Sequence, residues 1–215
     1  MTWTSMPLAD INTALETHSS DSLCGGLIAW ACDCVDSLFY LTDHDEAVFD
    51  SQPATYQGHR APVINVAHVR WATSTAITAL DLCAAALARI HAGALGRTFS
   101  GRFDDHEVGL RQLGPGGTYR SKRVLLPSEA VTWCDGVLGD PGYLLVLKAR
   151  GPLVHGRHPR VLQMSTTGTP PRDDLSLDGP SQPSTPARNL VVDSRDVAAK
   201  HVDDFLSKTA AGVLF

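Results

Sequence analysis

The chain lacks most of the residue sets that identify a chemistry on sight. No Gly-x-Ser-x-Gly elbow and no His-Glu-x-x-His pair occur, which removes the serine-hydrolase and zincin readings. The glycines around Gly114-Pro115-Gly116-Gly117 follow no apolar strand and lead to no Lys-Ser/Thr pair, so they do not form a phosphate loop. Cysteine is scarce and odd in number: Cys24, Cys32, Cys34, Cys83 and Cys134 sit mostly within apolar helical pattern, as buried thiols of a reducing compartment do. Cys32-x-Cys34 has neither zinc-knuckle spacing nor a second ligand pair. Asp43-His44-Asp45-Glu46 has the residue types of a metal site, but sequence neighbours seldom converge on one ion, and it reads as a solvated turn. The expectation is no metal and no cofactor.

Also missing is a basic N-terminus followed by an apolar core and a small-residue cleavage site. The chain is therefore expected to start at Met1 and to be cytoplasmic. No membrane span is expected, because the uncharged run from Trp71 to Leu80 stops at Asp81 and is rich in Ala and Thr rather than Leu. Excess positive charge is absent too. A net charge of −5 excludes a protein that coats nucleic acid by charge alone, so any RNA contact must be local. No internal repeat is present.

What the chain does have is apolar helical pattern, with 43% hydrophobic residues in 215, enough for one core plus a tail. Ala61 to Ala92 is apolar on almost every face, punctuated by Pro62 at its start and Gly93 and Gly96 at its end, and must be wrapped by other helices. A second apolar helix spans 22–42, with Asp21 or Ser22 as cap and Gly25 and Gly26 marking either its start or a close helix contact. Pro7 to His18, with Leu8, Ile11 and Leu15, is a short amphipathic helix. The polar segment Thr42 to Arg60 connects the two long helices, which makes them antiparallel.

Beyond the central helix, Arg97 to Arg123 reads as a long loop with little core that carries six basic residues. A helix follows Pro127-Ser128-Glu129, and Tyr143 to Ala149 is a buried helix in preference to a strand. Thr166 to Arg188, with five prolines amid Ser, Thr, Asp and Gly, has the composition of a flexible linker without regular structure. Val191 to Leu206 regains helical spacing, capped by Asp193 or Ser194, and is expected to dock back on the bundle. The predicted organisation is an all-α helical domain over 1–163, a linker over 164–190 and a C-terminal helix over 191–215.

One stretch has a distinctive arrangement: Arg150-Gly151-Pro152-Leu153-Val154-His155-Gly156-Arg157-His158-Pro159-Arg160. Here the chain resembles the HEPN superfamily, small helical domains with a long antiparallel helix pair and an Arg-x4-6-His motif. The resemblance covers residues 20 to 160. It implies metal-independent ribonuclease or RNA-binding activity at Arg150 and His155, across a homodimer interface. The chemistry is coherent: a guanidinium holds a phosphate through two parallel bonds, and a near-neutral imidazole moves the 2′-hydroxyl or leaving-group proton. Arg157, His158 and Arg160 would supply local positive charge for substrate binding. Two departures stand beside the match. Gly151 replaces the polar residue common after the Arg, and Pro152 is expected to interrupt any helix between Arg150 and His155. The alternative is a non-catalytic interaction or dimerisation module, in which Arg150 ties a helix end and His155 and His158 lie in a turn. Asp33 and Asp36 form a polar stripe on the second helix, placed either to orient Arg150 or His155 or to face solvent or a cation such as Arg70 or Arg89.

Overall fold

A computed structural model of the chain describes residues 8–19, 21–50, 61–102, 107–154, 160–164, 173–176 and 185–215. The fold is all-α in architecture, its helices packed against one another. In chain order these are α1 (Leu8–His18), α2 (Leu23–Asp50), α3 (Ala61–Ile90), α4 (Ala92–Leu95), α5 (Leu110–Leu113), α6 (Ser128–Leu138), α7 (Pro141–Val154) and α8 (Ala187–Ala210), with a 3₁₀ turn over Arg120–Leu125. The chain divides into two compact units. The first holds 1–35, 78–140 and 198–215; the second holds 36–77 and 141–197.

In the first unit the early part of α2 lies against the late part of α3, with Cys24 Sγ 3.8 Å from Ala86 O, so the pair is antiparallel as its connection demands. Small residues allow that approach: Ala79, Ala84, Ala85, Ala86 and Ala88 are all buried beside Leu80 and Leu87. α1 crosses the start of α2 at Gly25, where an added Cβ would meet Asn12 Oδ1 at 3.0 Å, while Gly26 faces open space. The close contact thus belongs to Gly25 alone. From the other side, α8 docks on α6: Trp133 Nε1 donates to His201 O at 3.0 Å, and Phe205 meets the Trp133 ring edge-on at 4.9 Å. By length and hydropathy alone, Leu23–Asp43 and Ala67–Ile90 could cross a membrane, but 72% of the α3 window is buried inside the protein, which accounts for its composition.

The second unit buries Leu38, Val69, Ala72, Ala76 and Ile77 together with Tyr143, Val146 and Ala149 of α7, confirming the helical reading of that run. Arg195 of α8 stacks over Phe39 at 5.1 Å and donates to Thr42 Oγ1 at 3.1 Å.

Several expectations need correction. α2 continues to Asp50, so Asp43-His44-Asp45-Glu46 lies within a helix and not in a turn. The Arg97–Arg123 stretch has a core, because Val108, Leu110 and Leu113 are buried around α5. Pro152 does not stop α7, which runs to Val154; in the last turn its missing N–H costs one bond only. The stretch expected to lack regular structure contributes two strands. β1 (Arg160–Met164), β2 (Asp173–Ser176) and β3 (Thr185–Pro186) form an antiparallel meander with Val161 opposite Leu175 and Leu175 opposite Thr185. Pro186 sits on the edge strand, where the absent donor is tolerated. α8 begins at Ala187, so Ser194 is no cap: it is fully buried and donates to Leu190 O at 2.6 Å.

Candidate functional site

Of the residues proposed for chemistry, Arg150 is placed on α7 in the second unit. Its Nε is buried and has no hydrogen-bond partner among the described residues, a condition that the Nε of Arg123 shares. Such a donor is costly to leave unmade and could take an acceptor from outside. His155, Arg157 and His158 lie outside the described residues. Arg160 opens β1, its backbone paired opposite Ser176. The structure therefore locates one member of the proposed pair and the strand that follows it.

Arg89, Asp81 and His91 of the helical pattern are held by structure. Arg89 has a side chain with no exposure at all. Its Nε donates to Glu107 Oε1 and Oε2 at 3.0 and 3.2 Å, and its Nη1 to Asp21 Oδ2 at 2.7 Å and Ser100 O at 3.0 Å. Its Nη2 donates to Arg102 O at 2.9 Å and again to Glu107, while the guanidinium lies 5.0 Å from the centre of the Phe99 ring. Every N–H of the fork is thereby used. Burial opposes the charge, yet the bonds to Glu107 and Asp21 outweigh it and raise the Arg89 pKa further. One arginine thus fastens the segment after α4 to α3 and to the start of α2. Asp33 and Asp36 do not take part. Both are exposed, so the solvent-facing reading of that stripe holds.

Smaller ties follow the same logic. Asp81, the residue that ends the uncharged run of α3, accepts from the Leu110 N–H at 2.9 Å and starts α5. A Cβ at Gly109 would stand 2.9 Å from Asp81 Oδ1, so a side chain there would push that carboxylate aside. Lys122 Nζ donates to Leu95 O at 2.7 Å, and Arg123 Nη2 to Asp135 Oδ1 at 2.6 Å, so two cations of the supposed basic loop act as struts. Asp140 accepts from His201 Nε2 at 2.9 Å and from Lys200 Nζ at 2.6 Å. Burial lowers the His201 pKa more than Asp140 raises it, leaving a neutral imidazole with Nε2–H as donor. His91 is similar: burial lowers its pKa, and Nε2 donates to Leu214 O at 2.7 Å.

The thiols are inert. None of the cysteines is bridged and all are buried. Burial pushes Cys134 up to about 12 and, with Asp33 adding to it, Cys34 up to about 11. Neither supplies a thiolate near neutral pH. Among the described residues no group of three or more His, Cys, Asp or Glu is placed to hold a metal.

The Arg89 clasp was foreshadowed only by the rule that a charge inside an apolar helix must find partners. Asp21 and Glu107 carried no spacing signal, since they meet Arg89 through tertiary structure. Comparison of the chain with protein-family models, with curated proteins and with solved structures finds no match.

Proposed function

We propose that the chain is a HEPN-like cytoplasmic protein that binds and cleaves RNA without a metal, using Arg150 and His155 on the scissile phosphate. The observation that carries this reading is the buried Nε of Arg150, a donor without an acceptor among the described residues, on the helix from which the motif departs. A phosphate oxygen would satisfy it. His155 would take the 2′-hydroxyl proton as that oxygen bonds to phosphorus and the bond to the 5′-oxygen breaks, with the proton returned to the leaving oxygen. Arg157, His158 and Arg160 would add the local charge that an acidic protein needs to hold a polyanion.

The test is cleavage of end-labelled single-stranded RNA by the purified chain in the presence of a chelator. Cleavage should persist with chelator and vanish in both Arg150→Ala and His155→Ala, each with an unchanged helical circular-dichroism spectrum. If the wild-type chain cuts no RNA, the nuclease reading is abandoned. A second reading, the non-catalytic interaction module, is supported by the second unit itself, which leaves Tyr40, Leu144 and Trp71 exposed. It is favoured if Tyr40→Ser and Trp71→Ser abolish binding to a partner while Arg150→Ala does not.

A further inference from the structure

The first unit carries an exposed apolar knob and an open cleft, built from different residues. The knob is the end of the 3₁₀ turn, where Val124 is 84% exposed and its neighbour Leu125 is 61% exposed. These are not loose side chains. The turn is pinned by Lys122 on Leu95 O, by Arg123 on Asp135 and by the Leu126 N–H on Arg123 O at 3.0 Å. Leaving two aliphatic side chains in water forgoes the gain of burying them. Positive charge stands in the same turn, where Arg120 is exposed.

The cleft has the opposite character. It is an open cavity of about 630 Å³ between α1 and the start of α2, walled by Asn12, Leu15, Glu16, Asp21, Gly26 and Ala29. Leu15 and Ala29 give it an apolar side, and Glu16 gives it negative charge, the Asp21 carboxylate being paired with Arg89. Gly26 keeps it open, because nothing lies within 4 Å of where its Cβ would be.

We infer that the knob of one copy of this chain seats in the α1–α2 cleft of a second copy. Val124 and Leu125 enter against Leu15 and Ala29, and Arg120 approaches Glu16, which makes no ion pair among the described residues. Charge sign and apolar character match on both sides. Knob and cleft are different surfaces, so the contact is heterologous: each copy offers one of each, and association continues into rings or open chains. The contact is small and therefore weak. It uses none of the residues around Arg150.

Sedimentation equilibrium of the full chain over a range of concentrations tests the proposal. The average mass of the wild type should rise with concentration, and more at low salt than at high. The knob variant Val124→Ser/Leu125→Ser and the cleft-filling variant Gly26→Leu should each lose association by about tenfold or more, the effect of losing a buried aliphatic contact. Mixed together, the two variants should form a 1:1 pair and nothing larger, because one retains a cleft and the other a knob. Arg120→Glu should weaken association, and adding Glu16→Arg should restore it. A wild type that stays monomeric overturns the proposal, as does association that survives both single-surface variants. If the monomer instead sediments with phosphatidylglycerol vesicles in a Val124- and Leu125-dependent way, the knob is a lipid contact and the proposal also falls.

Discussion

Arg89 and Arg150 pose the same physical problem and meet it differently. Each is an arginine on a largely apolar helix. The first spends all its donors on two carboxylates and two backbone carbonyls; the second keeps a buried Nε with no acceptor among the described residues. A satisfied buried guanidinium is architecture, since nothing remains to offer a ligand. An unsatisfied Nε does not by itself mark function, since Arg123 has one too while its Nη2 holds Asp135. What sets Arg150 apart from Arg89 is how little its removal takes from the folded chain, and substitutions at the two positions should differ accordingly.

The largest effect is expected at Arg89. Arg89→Met removes the cation and leaves the Glu107 carboxylate, whose side chain is 7% exposed, without its partner. Breaking a buried pair from one side costs about 3–5 kcal/mol, so urea unfolding should show a midpoint shift approaching loss of the native state. Arg89→Lys should recover little, because an ammonium cannot reproduce the planar fork. An unfolding midpoint equal to wild type would show that the clasp contributes nothing. Leu80→Asp is of similar size, since it places an unpaired carboxylate at a fully buried position of α3.

Arg150→Ala should move stability by no more than about 1 kcal/mol, because it removes a donor that makes no bond in the folded chain. The same variant should abolish RNA cleavage. Stability falling as far as in Arg89→Met would erase the distinction between the two arginines and assign Arg150 to the structure.

How much of this was legible beforehand follows from which interactions are local. Both long helices, their antiparallel pairing and the helix over Tyr143–Ala149 were readable, because apolar spacing and helix punctuation are properties of neighbouring residues. The close contact at Gly25 was half readable: the pair of glycines announced it, but only the position of Asn12 chooses between them. The clasp was not readable, since Asp21, Arg89 and Glu107 come from three separate segments. The meander misled for a different reason. Proline and serine content argues for a linker, yet Val161, Leu175 and Thr185 align once the chain turns back on itself, and Pro186 is harmless on an edge. Of the proposed site, Arg150 was legible as a motif residue, but its orphaned Nε is a property of the packing around it.

The smallest expected effect concerns pH and sharpens the contrast between ties that titrate and the guanidinium that does not. Burial lowers the pKa of both His91 and His201 from 6.5, so each is neutral in the folded chain where the unfolded chain begins to take up a proton. The sign follows from linkage: below about 6.5 the unfolded state binds more protons than the folded one, and stability falls as pH falls. Above that value the contribution of both groups is fully present. His91 and His201 each donate Nε2–H to an oxygen, Leu214 O and the Asp140 carboxylate respectively, so both bonds suit the neutral ring. Leu214 O favours the charged form of His91 and Asp140 that of His201, but burial outweighs the bond in both, so each contributes to the loss. Thermal melts from pH 7.5 down to about pH 5.5 should show a progressive decrease in Tm, and His91→Gln, which keeps a side-chain donor but cannot titrate, should flatten it in part. A wild-type Tm that stays level or rises over that range would contradict the neutral assignment of both imidazoles.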